Sequence, residues 1–405
     1  MKKKNNIYLV LYAYWAVLLL WQNVRSAGNR GTMDILIKIA LLLILIVAYL
    51  YHASSIRVVP FFFFFTYVLA NLILFYVQGG LTFSNLLYYF YPCLMFLLVY
   101  SVGGSHEIDK KQLIHFLNLV ILLVAYAALY AVFFQSNKFF RALSLSSAYG
   151  NELTSFFFSN YEYGVYLAYA TISAIICLEI DKSISPFRRL LYLGAICLFV
   201  LNLILTFSRT AIISFVILLV LCLVRKNKGG SAKFVFLLTF FAVVFLITSP
   251  TLRDFFKNIV FKDNAQSARP ELIELGIRLF GQSNLFDKIF GNISVGQLIE
   301  ELSEHSNLHN GYLMMLLTNG LKGVAFLAVI VIAAVRTVIS TKAKTEEERL
   351  LKRVFIGFVI GAGICMMTAT STLFYSSIDS FFLSLYAVIV PKYVCNSIRA
   401  GTFDN

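Results

Sequence analysis

Three positions in this chain pair a side chain able to hold or move charge with a place where a helix should begin. Arg209 lies in Thr206-Phe207-Ser208-Arg209-Thr210, between two apolar runs, and Ser208 is placed to cap the second of them. Arg269 stands directly before Pro270, which suits the first position of a helix whose first turn carries Glu271 and Glu274 and whose end suits Gly281. His309 precedes Asn310, a good N-cap for the apolar run that follows. A helix start presents unpaired amides and the positive end of a dipole, so a guanidinium beside one makes an anion site. Two arginines and three such ends suit a diphosphate, and an imidazole that titrates near neutrality adds a base; together they are the parts of a transferase site.

Each residue also has a plainer reading. Arg209 at a helix end is equally a snorkelling arginine, Arg269 an exposed loop arginine, and His309 a loop histidine without a task. Arg278 follows Glu274 by four residues, so an ordinary surface pair accounts for it. His305 would share a helical face with His309, near Glu301 or Glu304, and so offer a metal pair; Asn310 as a cap argues against one continuous helix, and no metal is expected.

The elements that must position these residues are set by composition. Of 405 residues, 60% are hydrophobic and only 13% charged, and the mean hydropathy is +0.80. A soluble domain is about half apolar and about a quarter charged. Lipid must therefore solvate much of the surface. Runs long enough for a helix to cross hydrocarbon fall at 7–21, 34–52, 58–78, 84–103, 113–134, 162–180, 190–207, 210–224, 233–249, 311–336, 354–371 and 379–394. The fold expected is an all-α polytopic membrane protein of about 12 transmembrane helices, a single domain over 1–405, with both termini inside. The basic residues agree with that orientation. Lys2 to Lys4, Arg57, Lys110, Lys111, Arg188, Arg189, Arg225, Lys226 and the cluster from Arg336 to Arg353 lie at inner ends, whereas the short outer loops hold Arg25, Arg30, Lys138, Arg141 and Arg209.

Topology thus explains most of the net charge of +14, and no nucleic-acid partner is expected. The first apolar run reads as an uncleaved anchor, since Arg25 and Arg30 flank its end and no clean cleavage site follows. Six cysteines fall in spans or near inner ends without a C-x-x-C, which implies neither disulfide nor zinc, and no phosphate-binding loop or dinucleotide fingerprint occurs, so no cofactor is expected.

Two outer loops stand out. One, about 135–161, is polar and rich in Ser and Asn, and its Phe156 to Phe158 and Tyr161 suit either sugar stacking or anchoring at the membrane interface. The other, 250–310, carries its own short helices. Leu272, Ile273, Gly276, Leu279 and Phe280 make an apolar stripe that should lie flat at the outer surface, and a second short helix is expected from about Val295 to Glu304. The weakest boundaries are 207–210 and the Asn319-Gly320 break with Lys322 inside 311–336.

The three motifs in order, Thr206 to Ala211, then Ser267-Ala268-Arg269 with its helix and Gly291, then His309-Asn310-Gly311-Tyr312-Leu313 leading to Gly320-Leu321-Lys322-Gly323, resemble the bacterial O-antigen polymerase and O-antigen ligase superfamily. The resemblance covers about 160–390 and departs where the family often places a Trp after the arginine, here Ile273 and Leu275. It implies a GT-C-like, metal-independent glycosyltransferase in the bacterial plasma membrane with its active site on the extracytoplasmic side. Its donor and acceptor would be oligosaccharides on undecaprenyl diphosphate, with a flippase and a chain-length regulator as further partners. Carried over residue by residue, Arg209 and Arg269 would bind the diphosphate and His309 would orient or deprotonate the acceptor hydroxyl, with Ser208, Asn310, Tyr312 and Arg278 as substrate-binding candidates.

Three classes follow for comparison. A polymerase extends a lipid-linked chain, a ligase moves it to another acceptor, and a flippase or transporter of the same lipids predicts charges within spans. Here Lys38 and Lys322 are nearly the only cations there, which favours an enzyme. The Lys, Asn, Ile and Phe usage suggests an AT-rich, Gram-positive genome without a lipid A core, which favours the polymerase.

Overall fold

The computed structural model describes residues 58–80, 110–143, 152–223, 269–340 and 345–368, with gaps at 158, 182–183, 304 and 306–307, and isolated positions at 39–40, 43, 46–47 and 343. In chain order the helices are α1 (Val58–Val77), α2 (Lys110–Phe133), α3 (Ser136–Leu143), α4 (Asn160–Ile180), α5 (Pro186–Leu205), α6 (Arg209–Leu223), α7 (Arg269–Gln282), α8 (Leu285–Phe290), α9 (Val295–Ser303), α10 (Gly311–Ser340) and α11 (Glu346–Thr368). No strand occurs among the described residues. Five helices, α2, α4, α5, α10 and α11, are long and apolar enough to cross a membrane, and shorter apolar stretches cover Phe65–Val77 and Arg209–Cys222. The predicted spans at 58–78, 113–134, 162–180, 190–207, 210–224, 311–336 and 354–371 fall on these helices. Those at 7–21, 84–103, 233–249 and 379–394, and nearly all of 34–52, lie outside the described residues.

Local chemistry sets where the helices start. Ser159 Oγ accepts from Glu162 N (3.1 Å) at α4, and Ser185 Oγ accepts from Arg188 N (3.3 Å) at α5, with Pro186 in the first turn. At α11, Thr345 and Glu348 satisfy each other's backbone amides, a capping box (3.2 and 3.3 Å).

Contacts group the chain into two compact units, one of 114–267 and 343–365, the other of 1–113, 268–342 and 366–405. In the first, α4 is buried almost all round, as a helix apolar on every face must be. Gly164 permits its closest approach: a Cβ there would lie 2.7 Å from Ala211 Cβ and 3.2 Å from Thr206 Oγ1. Of the predicted polar loop before α4, the described residues include a short helix and a packed stretch at 153–157. Residues 136–143 form α3, with Phe139 and Ala142 buried. Phe156 and Phe157 are 2% and 6% exposed, and Phe157 stacks on Tyr163 (5.5 Å) and Tyr166 (5.1 Å). Those two rings are core and cannot serve as a sugar platform, because neighbouring aromatics already cover their faces.

In the second unit, α7, α9 and the start of α10 enclose a small core of Leu272, Leu275, Val295, Ile299, Leu308, Met314 and Leu317. The stripe on α7 is shifted from the predicted one. Leu272, Leu275 and Gly276 are buried, whereas Ile273 and Ile277 are exposed. The cause is Gly276, whose missing Cβ would lie 2.6 Å from Leu308 Cδ1 and 3.3 Å from Leu313 Cδ1. The main apolar face of α7 is thus taken up by this core. Helix α10 breaks at Gly320 (φ 65), so the predicted span 311–336 resolves into a nine-residue piece and a second piece, 321–340. At 1.5 Å per residue the second alone reaches about 30 Å, the thickness of a hydrocarbon core. Phe63 and Tyr67 of α1 stack on Phe326 (4.4 and 4.1 Å), and Tyr67 Oη donates to Asn319 Oδ1 (2.9 Å) just before the break.

Candidate active site

Arg209 is the first residue of α6, and Ser208 occupies the cap position, its carbonyl accepting from Ile212 N (3.0 Å). Three residues turn the chain from α5, and hydrogen bonds determine their path. Thr206 N donates to Asn202 O (3.0 Å), Thr206 Oγ1 donates to Leu203 O (2.7 Å) and accepts from Ser208 N (3.2 Å). From the start of α4, Asn160 Nδ2 donates to the Thr206 carbonyl (2.9 Å). Within this turn Phe207 is held at φ 51, a left-handed conformation that is a true outlier for a bulky residue. Thr206, Phe207, Ser208 and Thr210 are buried, and Arg209 is half-buried with its Nε shielded from solvent.

His309 is also left-handed, at φ 49, and it is exposed. Buried Leu308 anchors it on one side. On the other, Asn310 Oδ1 accepts from Leu313 N (3.1 Å) and Asn310 O from Met314 N (2.9 Å), so Asn310 is the cap of α10. Because α9 ends at Ser303, His305 and His309 do not share a helical face, yet their rings meet edge-on with centroids 6.3 Å apart. Among the described residues no group of three metal-ligating side chains gathers. Tyr312 is exposed on the first turn of α10. Arg269 begins α7 with Pro270 second, one position later than predicted, and the Arg269 side chain lies outside the described residues. Arg278 and Glu274 are both exposed, and among the described residues no ion pair joins them. Arg209 belongs to the first unit and Arg269, Arg278 and His309 to the second.

A seam joins α8 to the break in α10 within the second unit. Gly291 (φ 95) ends α8 and Gly320 (φ 65) breaks α10, and the two backbones touch. A Cβ on Gly291 would overlap Thr318 O and lie 2.5 Å from its carbonyl carbon, and one on Gly320 would lie 2.6 Å from Gly291 N. Asn292 N donates to Leu317 O (2.8 Å), and Lys322 Nζ donates to Phe290 O (2.6 Å), placing a cation at the C-terminal end of α8. The ammonium also lies 5.5 Å from the Phe290 ring. Sequence reasoning marked Gly291, the Asn319-Gly320 break and Lys322 one by one. It missed α8 and the contact between them, whose one signal was a lone lysine within an apolar run.

Membrane-length apolar helices, with a folded insertion between α6 and α10 and polar groups at helix starts, define a multi-pass helical membrane protein. Residues 193–328, from α5 into α10, match the family model described as O-Antigen ligase. That segment encloses Arg209, Arg269 and His309, and over it the chain is similar to the O-antigen ligase family. A comparison with curated proteins finds no match.

Proposed function

We propose that this chain is a membrane-embedded glycosyltransferase that polymerises oligosaccharide repeat units carried on undecaprenyl diphosphate, at the outer leaflet, into capsular, exo- or O-antigen polysaccharide. The observation that supports the reading most is the family match over 193–328, because it encloses all three candidate residues. In the proposed reaction the acceptor hydroxyl oxygen bonds to the anomeric carbon of the donor. The bond from that carbon to the diphosphate oxygen breaks, and undecaprenyl diphosphate leaves with the electron pair. His309 accepts the hydroxyl proton, and Arg209 and Arg269 neutralise the departing charge. The donor carries its own leaving group, so the protein needs only charge, position and a base. The ligase reading is kept as the second, since the matching family is described by that activity.

Membranes supplied with lipid-linked repeat units test this. His309→Ala and Arg269→Ala should each lower transfer by about 10²–10³-fold. Undiminished chain lengthening in both variants sinks the catalytic assignment. A ladder of repeats growing on the polyprenol identifies a polymerase, and one transfer to a different acceptor a ligase. A flippase predicts instead that single repeats fail to reach the outer leaflet in the same variants.

A further inference from the structure

Beside the end of α1, a cleft of about 490 Å³ is lined by Gln78, Asn284, Phe286, Asp287, Asn292 and Ser294. Its volume falls within the range of about 300–1,000 Å³ usual for ligand sites. Its walls are fixed by their own hydrogen bonds. Gln78 Nε2 donates to Asp287 Oδ1 (2.8 Å) and Gly291 O (3.1 Å), while Gln78 Oε1 accepts from Ile293 N (3.0 Å). Asn284 Nδ2 donates to Asp287 Oδ2 (3.1 Å), and Asn284 Oδ1 accepts from Asp287 N (2.8 Å). Asn292 Oδ1 accepts from Ser294 N (2.8 Å). The Asn292 amide N–H groups and the Ser294 hydroxyl keep their capacity for a ligand, as do the remaining lone pairs of the Asp287 carboxylate.

Phe286 is held as a platform by stacking on Phe290, with centroids 4.8 Å apart and planes 21° apart. Charge narrows the ligand further. Lys288 is engaged at Gly281 O (3.0 Å) and over Phe280, and Lys322 at Phe290 O (2.6 Å), so among the described residues no cation pairs with Asp287. A carboxylate held by two amides, beside further amide and hydroxyl groups and an aromatic face, suits vicinal hydroxyls and an apolar C–H face. It disfavours an anion.

We propose that this cleft is a glycan subsite that takes a neutral pyranose, its C–H face on Phe286 and its hydroxyls on Asp287, Asn292 and Ser294. The proposal rests on the reading of the chain as acting on lipid-linked glycans and assigns the part of the protein that selects the sugar. The cleft's open form suits a ring within a longer chain.

The test uses the full chain in lipid nanodiscs and saturation-transfer NMR with free glucose, galactose, N-acetylglucosamine, N-acetylgalactosamine and glucuronate. At least one neutral sugar should receive saturation at its ring C–H protons, and glucuronate should receive less. That signal should weaken about five- to tenfold in Phe286→Ala, weaken in Asn292→Ala, and persist in Phe286→Tyr and Arg269→Ala. Where Phe286→Ala does not fold, judged by thermal unfolding, Asn292→Ala and Ser294→Ala decide. No signal from any neutral sugar, or a signal unchanged in the folded alanine variants, overturns the subsite. Retained sugar binding together with undiminished polymer in His309→Ala instead overturns the catalytic reading and leaves the subsite standing.

Discussion

The helix starts at Arg209 and at His309 solve one problem in opposite ways. Both follow a residue forced into the left-handed region, Phe207 in one case and His309 itself in the other. At Arg209 the strain is internal. The turn is buried, and Asn160 and Ser208 each bind Thr206 directly. At His309 the strained residue is exposed, and its two chain neighbours fix it: Leu308, packed against Gly276 of α7, and Asn310, the cap of α10. A strained non-glycine conformation costs about 1–3 kcal/mol and persists only where its surroundings overdetermine it. The buried turn before Arg209 is therefore held by hydrogen bonds, one of them from Asn160 on α4, whereas the exposed His309 is held by the residues on either side of it.

The second unit adds a seam of touching backbones, and substitution there has the largest expected effect. Gly291→Ala and Gly320→Ala each drive a Cβ into main-chain atoms of the facing segment and impose a left-handed conformation on a non-glycine residue. The expected loss is about 3 kcal/mol or more, read as a fall in thermal unfolding temperature in nanodiscs and as loss of transfer activity. Phe207→Gly comes next. It relieves the strained φ but removes a ring that is 3% exposed, so the core loss dominates by about 2–3 kcal/mol. Lys322→Met should cost about 1–3 kcal/mol, because a charge-assisted bond to Phe290 O is lost while the stem still packs. If Lys322 serves to hold the seam, that variant also loses transfer activity, although Lys322 itself needs no contact with substrate. A Lys322→Met protein with wild-type unfolding temperature would show the seam to be held by the glycines alone.

The helix starts were legible in the sequence because capping is local chemistry. Ser208 and Asn310, read as caps from the sequence, each act within four residues of themselves, whereas the caps at Ser185 and Thr345 start their helices ahead of the spans expected at 190 and 354. The weak boundary at 207–210 proved to be a tight turn between α5 and α6 for the same reason: only a few polar residues were needed to make it. Illegible were features that depend on a partner far along the chain. Leu275 is buried and Ile273 exposed because Gly276 admits Leu308, a contact across 32 positions that no periodicity encodes. Phe156 and Phe157 read as loop aromatics until Tyr163, Tyr166 and Tyr130 are seen against them. Gly291 read as part of a motif and Gly320 as a break within a span, and only their mutual contact gives them a joint task.

The smallest effect on stability sharpens the contrast most. In His309→Gly the left-handed residue becomes one with no steric penalty, a relief of about 1–2 kcal/mol, offset by about 0.5–1 kcal/mol of backbone entropy regained by the unfolded chain. The imidazole is exposed, so little packing is lost. The variant should thus unfold at the wild-type temperature or slightly above it while losing transfer activity, the reverse of Phe207→Gly, which relieves the same kind of strain and still destabilises. Thermal unfolding and chain lengthening measured on the same preparations separate the two. A His309→Gly protein destabilised by about 2 kcal/mol or more would make the histidine a structural residue of the loop, with its contact to the His305 ring as the first place to look. A stable and inactive one leaves its strained backbone with a single account: it holds an imidazole in solvent at the start of α10, where a buried turn could not.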